Sequence, residues 1–247
     1  MRKFFYIICI VILTLFISTL SILATIGLET NKFNNFIQKK INNTNTNIFL
    51  ELITVRFKLD IKKISLFLET TNPILKYRKA TIPVQNIKVY IDFISLIKAE
   101  PKIKKIYSVM NEIKIDQLKK LSVNFKPSSI KSIFNNKVQD GTLNLEIEVF
   151  LNENNVFEDF IARGFVKELK TSVIGGLILE NTNFTFFADK TDILLKNIYS
   201  ESQIFKLTDG DLKISLLPEI SLETNFKTNI KYKYGQNLPF FDNQEYL

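Results

Sequence analysis

The sequence predicts a mostly β protein: an antiparallel sheet with one or two short helices, carried behind an N-terminal transmembrane helix. Three observations predict it. Residues 4 to 28 carry no charge, and long stretches beyond them alternate apolar and polar side chains with a period of two. A period near 3.6, the mark of an amphipathic helix, surfaces only briefly between those stretches.

The uncharged run FFYIICIVILTLFISTLSILATIGL covers 25 positions, so as a helix it measures about 37 Å, more than the roughly 30 Å of a bilayer's hydrocarbon core. Arg2 and Lys3 precede it, and positive residues stay on the cytoplasmic side. A cleaved signal peptide competes with this reading. However, the run is longer than an apolar core of about 7–15 residues, and Thr25-Ile26-Gly27 makes a poor cleavage site. The expectation is therefore an uncleaved signal anchor, single-pass in an inner (cytoplasmic) membrane, with the N-terminus cytoplasmic and the bulk of the chain periplasmic. Domain boundaries follow: 1–28 for the cytoplasmic tip and anchor, 29–47 for a short amphipathic helix and linker, and 48–247 for a β-rich domain. Cys9, the single cysteine, lies inside the span, so no intramolecular disulfide can form and the outer part depends on packing and sheet hydrogen bonds.

After the span, Phe33, Phe36, Ile37 and Ile41 recur at helical spacing with Thr30 placed as an N-cap. Such a helix either caps the end of a sheet core or rests on the membrane surface. The polar run NNTNTN, 42 to 47, predicts a linker. The period then switches to two: Val55, Phe57, Leu59 and Ile61 share one parity, and Ile64, Leu66 and Leu68 the other. That switch at Lys62-Lys63 demands a bulge or a tight turn. Asn72-Pro73 ends the second strand. Ile87, Val89, Ile91 and Phe93 mark another. Residues 106 to 115 suit strand or helix, IDQLKKL has helical spacing, and Pro127-Ser128-Ser129 opens a short helix closed before Asp140-Gly141. Leu143, Leu145, Ile147, Val149 and Leu151 then alternate with Asn144, Glu146 and Glu148. Further strands are predicted at 160–168, 183–188, 193–199, 203–208 and 211–217, with Asp209-Gly210 as a hairpin turn between the last two.

The last periodic stretch, ISLETNFKTNIKYKY at 220 to 234, places Ile220, Leu222, Phe226, Ile230, Tyr232 and Tyr234 on one parity and Glu223, Lys227, Lys231 and Lys233 on the other. A strand of that length runs about 50 Å, so either the sheet is unusually long or a bend hides at Thr224-Asn225 or Thr228-Asn229.

Composition narrows the chemistry. Histidine is absent, removing the usual near-neutral proton carrier and the commonest metal ligand, and Cys9 is placed in the bilayer. No His-dependent triad or thiol nucleophile can be assembled, and no GxGxxG or GxxxxGK loop occurs to cradle phosphates. Glu146 and Glu148 sit two apart on the polar face of a strand, where a solvated face explains them better than an acid–base pair. Asp189, Asp192, Asp209 and Asp211 lack the spacing of an EF-hand loop. The net charge of +8 comes mostly from scattered lysines, and in 220 to 234 the aromatic rings fall on the parity opposite to the lysines. A stacking platform and an electrostatic rail for nucleic acid would thus face opposite ways. The chain is expected to be no enzyme, to hold no cofactor or metal, and to bind no nucleic acid.

The anchor, the short helix and then RFKLDIKKISLFLETTNPILKYRKATIPVQNIKVYIDFISLIKAEPKIKKI resemble the N-terminal part of AsmA-like proteins, the superfamily that includes TamB and YhdP. The match lies in the order of anchor, helix, strand pair, Asn72-Pro73 turn, strand, and then long β-segments such as GTLNLEIEVFL and DGDLKISLL. The resemblance implies an elongated, curved antiparallel sheet forming a groove with an apolar concave face. It also implies a part in phospholipid transport between the membranes of a Gram-negative envelope and in outer-membrane biogenesis. This chain is shorter than such proteins commonly are, so the resemblance implies an N-terminal fragment. On that reading the residues facing lipid, taken from parity, are Ile87, Val89, Ile91, Phe93, Leu143, Leu145, Ile147, Val149, Ile220, Leu222, Phe226 and Ile230. Partners would be the inner membrane, phospholipid and other envelope proteins. Three alternatives stand beside it. The apolar faces could cover one another in an ordinary sandwich; the chain could be an anchored scaffold or assembly factor working through an exposed sheet edge; or it could be a carboxylate-dependent hydrolase.

Overall fold

The computed structural model describes residues 2–31, 34, 35, 37–39, 47–62, 65–78, 80–92, 95, 102–124, 126–154, 156–173 and 176–230. The chain is mostly strand with a large antiparallel sheet. It divides into two compact units, Met1–Lys76 with Val84–Val109 and Glu148–Glu158, and Tyr77–Pro83 with Met110–Ile147 and Asp159–Leu247.

Helix α1, Arg2–Thr25, includes a 22-residue apolar stretch, Phe4–Thr25, long enough to cross a membrane as an anchor or to serve as a signal sequence. The hydroxyls of Thr14, Thr19, Ser21 and Thr25 each donate to the carbonyl four residues back, so these four are satisfied within the apolar rod. The helix stops short of the uncharged run that encodes it. Gly27 adopts a φ of 80°, its N–H and that of Ile26 both reach the Ile22 carbonyl, and a strand starts at Leu28.

In the first unit, β1 (Leu28–Thr30), β2 (Ile48–Glu51), β3 (Val55–Asp60), β4 (Ser65–Thr71), β5 (Ile74–Tyr77), β7 (Val84–Ile91) and β8 (Ile103–Met110) follow one another, with β6 (Ala80–Ile82) belonging to the second unit. The order across the main sheet here is β1-β3-β4-β7-β8, while β2 neighbours β5 in a smaller sheet. Thr30 pairs with Val55 as a strand residue rather than capping a helix, and the helical residues begin at Asn34. Of the predicted helix, Phe33, Phe36 and Ile41 lie outside the described residues, as does most of the linker after it. The parity switch near residue 62 is a tight turn: Asp60 pairs with Ser65, Leu59 with Leu66 and Phe57 with Leu68, which leaves Ile61 in the turn. Ile64 lies outside the described residues.

The second unit holds β9 (Ile113–Lys114), α2 (Ile115–Ser122), α3 (Ser129–Lys137), and the long strands β10 (Val138–Leu151), β11 (Phe157–Ser172), β12 (Ile178–Ala188), β13 (Asp192–Glu201), β14 (Phe205–Ser215) and β15 (Ser221–Ile230). The last residues of β10 and the first of β11 belong to the first unit. Segment 106–115, ambiguous in sequence, is strand to Met110 and again at Ile113–Lys114, and turns helical at Ile115. The backbone N–H of Lys114 donates to Gln117 Oε1 at the start of α2, and Ser128 Oγ accepts from the Lys131 N–H at the start of α3. Asp140-Gly141 lies within β10 instead of ahead of it. Strand order is β10-β11-β12-β13-β14-β15, with β9 beside β10.

Asp209-Gly210 corrects the predicted hairpin. It lies inside one continuous strand, where the pairing steps from Thr208↔Lys227 to Asp211↔Asn225, three residues against two. This is a β-bulge, with Asp209 at a φ of 51°. Asn197 in β13, Asn181 in β12 and Glu168 in β11 repeat the arrangement with φ of 54°, 50° and 52°, each at a shift of register. The bulges therefore stand side by side across four strands. Neighbouring side chains take up the displaced amides: Asn183 Oδ1 accepts from the Glu168 N–H at 2.9 Å, and Asp211 Oδ1 from the Asn197 N–H at 3.4 Å.

Candidate functional site

The registers decide which side chains share a face. In the first unit Val55↔Thr70, Phe57↔Leu68 and Leu59↔Leu66 continue to Thr70↔Ile87, Leu68↔Val89 and Leu66↔Ile91, giving an apolar face across β3, β4 and β7. Part of it is covered. Leu50 and Leu52 from β2 and its following turn, Leu75 from β5 and Ile37 from the helical residues pack onto Val55, Leu68 and Ile87. Between cover and sheet lies a cavity of about 180 Å³, lined by Ile37, Leu50, Val55, Leu75, Val89 and Ile106 among others. Among its lining residues Thr70 is 6% exposed and its hydroxyl has no hydrogen-bond partner.

The opposite face of the same strands is charged. Lys58 Nζ lies 2.7 Å from Glu69, Lys88 reaches the same carboxylate at 3.5 Å, and Asn86 Nδ2 donates to it at 2.9 Å. Burial raises the Glu69 pKa, but the bonds from Lys58 and Asn86 and the charges of Lys58 and Lys88 outweigh it and hold the carboxyl below its ordinary value. Lys105 ion-pairs with Glu148 at 2.6 Å beneath the Tyr90 ring. Burial first, and then Asp60, Glu148 and Glu69, push the Tyr90 phenol up.

In the second unit the apolar face is built from Ala162, Gly164 and Val166 on β11, Thr182, Phe184 and Phe186 on β12, Ile193, Leu195 and Ile198 on β13, and Phe205, Leu207, Leu212 and Ile214 on β14. Leu222, Phe226 and Ile230 of β15 extend it through Ile214, Gly210 and Phe205. Ile198 is buried, but Val166, Phe184, Phe186, Leu195, Leu212 and Ile214 are only half-buried. At β15, Leu222 is 60% and Ile230 66% exposed. Two glycines permit close approaches. A Cβ on Gly164 would sit 1.9 Å from the Asn144 carbonyl oxygen, and one on Gly210 would sit 2.4 Å from the Phe226 ring. The buried hydroxyls of Thr182 and Ser200 satisfy each other at 2.6 Å.

Ion pairs mark the other side of these strands: Arg163 with Glu146 at 3.0 Å, Lys170 with Glu180 at 2.9 Å, Lys206 with Glu201 at 3.2 Å and Lys213 with Asp192 at 3.8 Å. The Tyr199 hydroxyl also donates to Glu201; that bond first, and then Lys206, keep the Glu201 carboxyl below its usual range. Asp189 Oδ1 accepts from the backbone N–H groups of Asp192 and Thr191, so this aspartate closes the β12–β13 turn. Among the described residues no group of three acidic, histidine or cysteine side chains could hold a metal ion.

The parity-selected residues separate into three situations. Ile87 and Val89 line the first unit's cavity and Ile91 beside them is buried, while Phe93 lies outside the described residues. Leu143, Leu145, Ile147 and Val149 are half-buried along β10, on the parity opposite to Glu146 and its Arg163 partner. Ile220, Leu222, Phe226 and Ile230 form the most exposed group, and Tyr232 and Tyr234 lie outside the described residues. Sequence parity missed the middle of the face, from Val166 to Ile214, because each bulge shifts the apolar parity by one. The signal was present: Leu207 and Leu212 are both apolar but of opposite parity, with Asp209-Gly210 between them.

No protein-family model, curated protein or solved structure matches the chain.

Proposed function

We propose that the chain is a membrane-anchored envelope protein that binds lipid acyl chains on the apolar face of its sheet, α1 holding it in the inner membrane and the strands lying in the periplasm. The AsmA-like resemblance of the anchor and following strands supports this. The observation that carries it is the half-exposed apolar face of β11 to β15, with an ion-paired face behind it.

The energetics suit a weakly specific binder. Each methylene withdrawn from water contributes about 0.8 kcal/mol, so an acyl chain lying along Leu195, Leu212, Ile214 and Leu222 needs no dedicated hydrogen bonds. Those side chains are already fixed by the sheet, and their exposed surface is desolvated in the same step. The ion-paired face meets water and confines the lipid to one side.

The test is site-specific photo-crosslinking of the full chain in its native membrane, with the photoreactive residue at Leu195 or Leu212 and, as a control, at Lys196 or Lys213. Phospholipid adducts at the first pair and none at the second are expected. Equal labelling at both, or no adduct at either, overturns the assignment.

A further inference from the structure

We propose that two copies of the chain join edge to edge through β15, antiparallel about a two-fold axis at Asn225, in the register that sets Glu223 of each copy opposite Lys227 of the other. The observations are independent of lipid binding.

All ten residues of β15 are exposed, and among the described residues its pairing neighbour is β14 alone. Sheet edges are normally protected by bulges, prolines, charged side chains or short length, and the charges that β15 carries, Glu223 and Lys227, are opposite in sign. Here β1, at the end of the first unit's sheet order, has three residues. β11 to β14 each carry a bulge with a residue at positive φ. β15 carries no bulge and no proline, so its outward N–H and C=O groups form an uninterrupted row. Its sequence, SLETNFKTNI, is self-complementary when reversed. About Asn225, Glu223 faces Lys227, Thr224 faces Phe226, Leu222 faces Thr228, and Ile220 just before the strand faces Ile230.

The alternatives fail on charge or on face. Sliding one copy by two residues sets Lys227 against Ser221 or Asn225, and Glu223 against Asn225 or Asn229, so both charge pairs are lost. A slide of one residue sets Leu222 against Lys227 or Asn229 and joins the apolar face of one copy to the polar face of the other. Lys227 does contact Asp209 at 3.0 Å, but both side chains are more than 70% exposed, so that pair is weak and does not hold the ammonium back. In the symmetric register roughly ten backbone hydrogen bonds form, and two reciprocal Glu–Lys pairs fix it. The contact lies in the plane of the sheet, leaving the apolar face of both copies free.

The test uses the full-length chain in lipid nanodiscs, with Cys9→Ser as background. A residue on a two-fold axis meets its own copy, so oxidation of Asn225→Cys is expected to give a covalent dimer. Thr224→Cys and Asn229→Cys, displaced from their own copies by two or more rungs, are expected to give little. In sedimentation of the uncrosslinked chain, Glu223→Lys or Lys227→Glu alone is expected to weaken the dimer about tenfold, and the two together to restore it. A monomer at every concentration, with the edge taken by residues 231–247 or by a different protein, overturns the proposal. So does a dimer that links better at position 229 than at 225, or a charge-swapped double variant as weak as either single one.

Discussion

In the first unit Val55, Leu68 and Ile87 lie under Leu50, Leu52, Leu75 and Ile37, and Val55 keeps only 2% of its surface in contact with solvent. In the second unit Leu195, Leu212 and Ile214 stand on a strand face built from the same alternation, yet they are half-buried, and Leu222 and Ile230 beyond them are open. The difference comes from the covering segments. β2, β5 and the helical residues near position 37 are short pieces that spend their own apolar side chains as a lid. The second unit's α2 buries Ile115 at its start, while the long strand faces from β11 to β15 stay partly open. Alternation decides that a face will be apolar; a different part of the chain decides whether that face is sealed.

Four measurements would break or sharpen this contrast. The largest effect belongs to Gly164→Val, because a Cβ there collides with the Asn144 backbone, which cannot swing aside as a side chain can. A loss of about 3 kcal/mol or more is expected, and limited proteolysis should then cut the second unit while sparing the first. Leu50→Ala removes the lid over the covered face and should cost about 3 kcal/mol in chemical denaturation, enlarging the existing cavity. A cost near zero would mean that the cover adds nothing.

The third concerns acid. The Glu69 carboxyl is held below its ordinary value of 4.5, so its contribution to stability is complete above that pH and is lost as the pH falls through the lowered folded value. Melting temperature should therefore fall below about pH 4.5, and Glu69→Gln should flatten that limb while lowering stability at neutral pH. An unchanged acid limb would remove Glu69 from the account. The smallest effect on stability is expected for Leu222→Ser with Ile230→Ser, within about 0.5 kcal/mol because both side chains are already exposed. The same pair should reduce lipid adducts at neighbouring Leu212, and an undiminished yield would place the lipid elsewhere.

Much of the fold was legible in the sequence. The charge-free run marks α1, and period-two stretches mark β3, β4, β7, β10 and β15, because strand faces alternate with a period that tolerates no drift. Three features were not. Thr30 has the chemistry of a cap, yet its backbone pairs with Val55, a partner 25 residues away that no local rule supplies. Asp209-Gly210 is the strongest short-range hairpin signal, but the same preference for positive φ also suits a bulge, and only the pairing of both flanks with β15 distinguishes them. The second unit's candidate face was legible at its margins, in Leu143 and Leu222. Its middle was hidden wherever a bulge moved the apolar residues from one parity to the other.

The side-by-side irregularities of β11 to β14 have a consequence for assembly of the sheet. A flat ladder of similar rungs can be stacked in many offsets, each costing little. Here each strand brings one surplus residue at the same height, and those residues are Glu168, Asn181, Asn197 and Asp209. Shift one strand by a rung or two and the kinks no longer nest, while residues such as Leu179 or Tyr199 are forced into a left-handed twist that suits them poorly. The row acts as a keyed joint: it admits one alignment and makes each newly laid strand a gauge for the next.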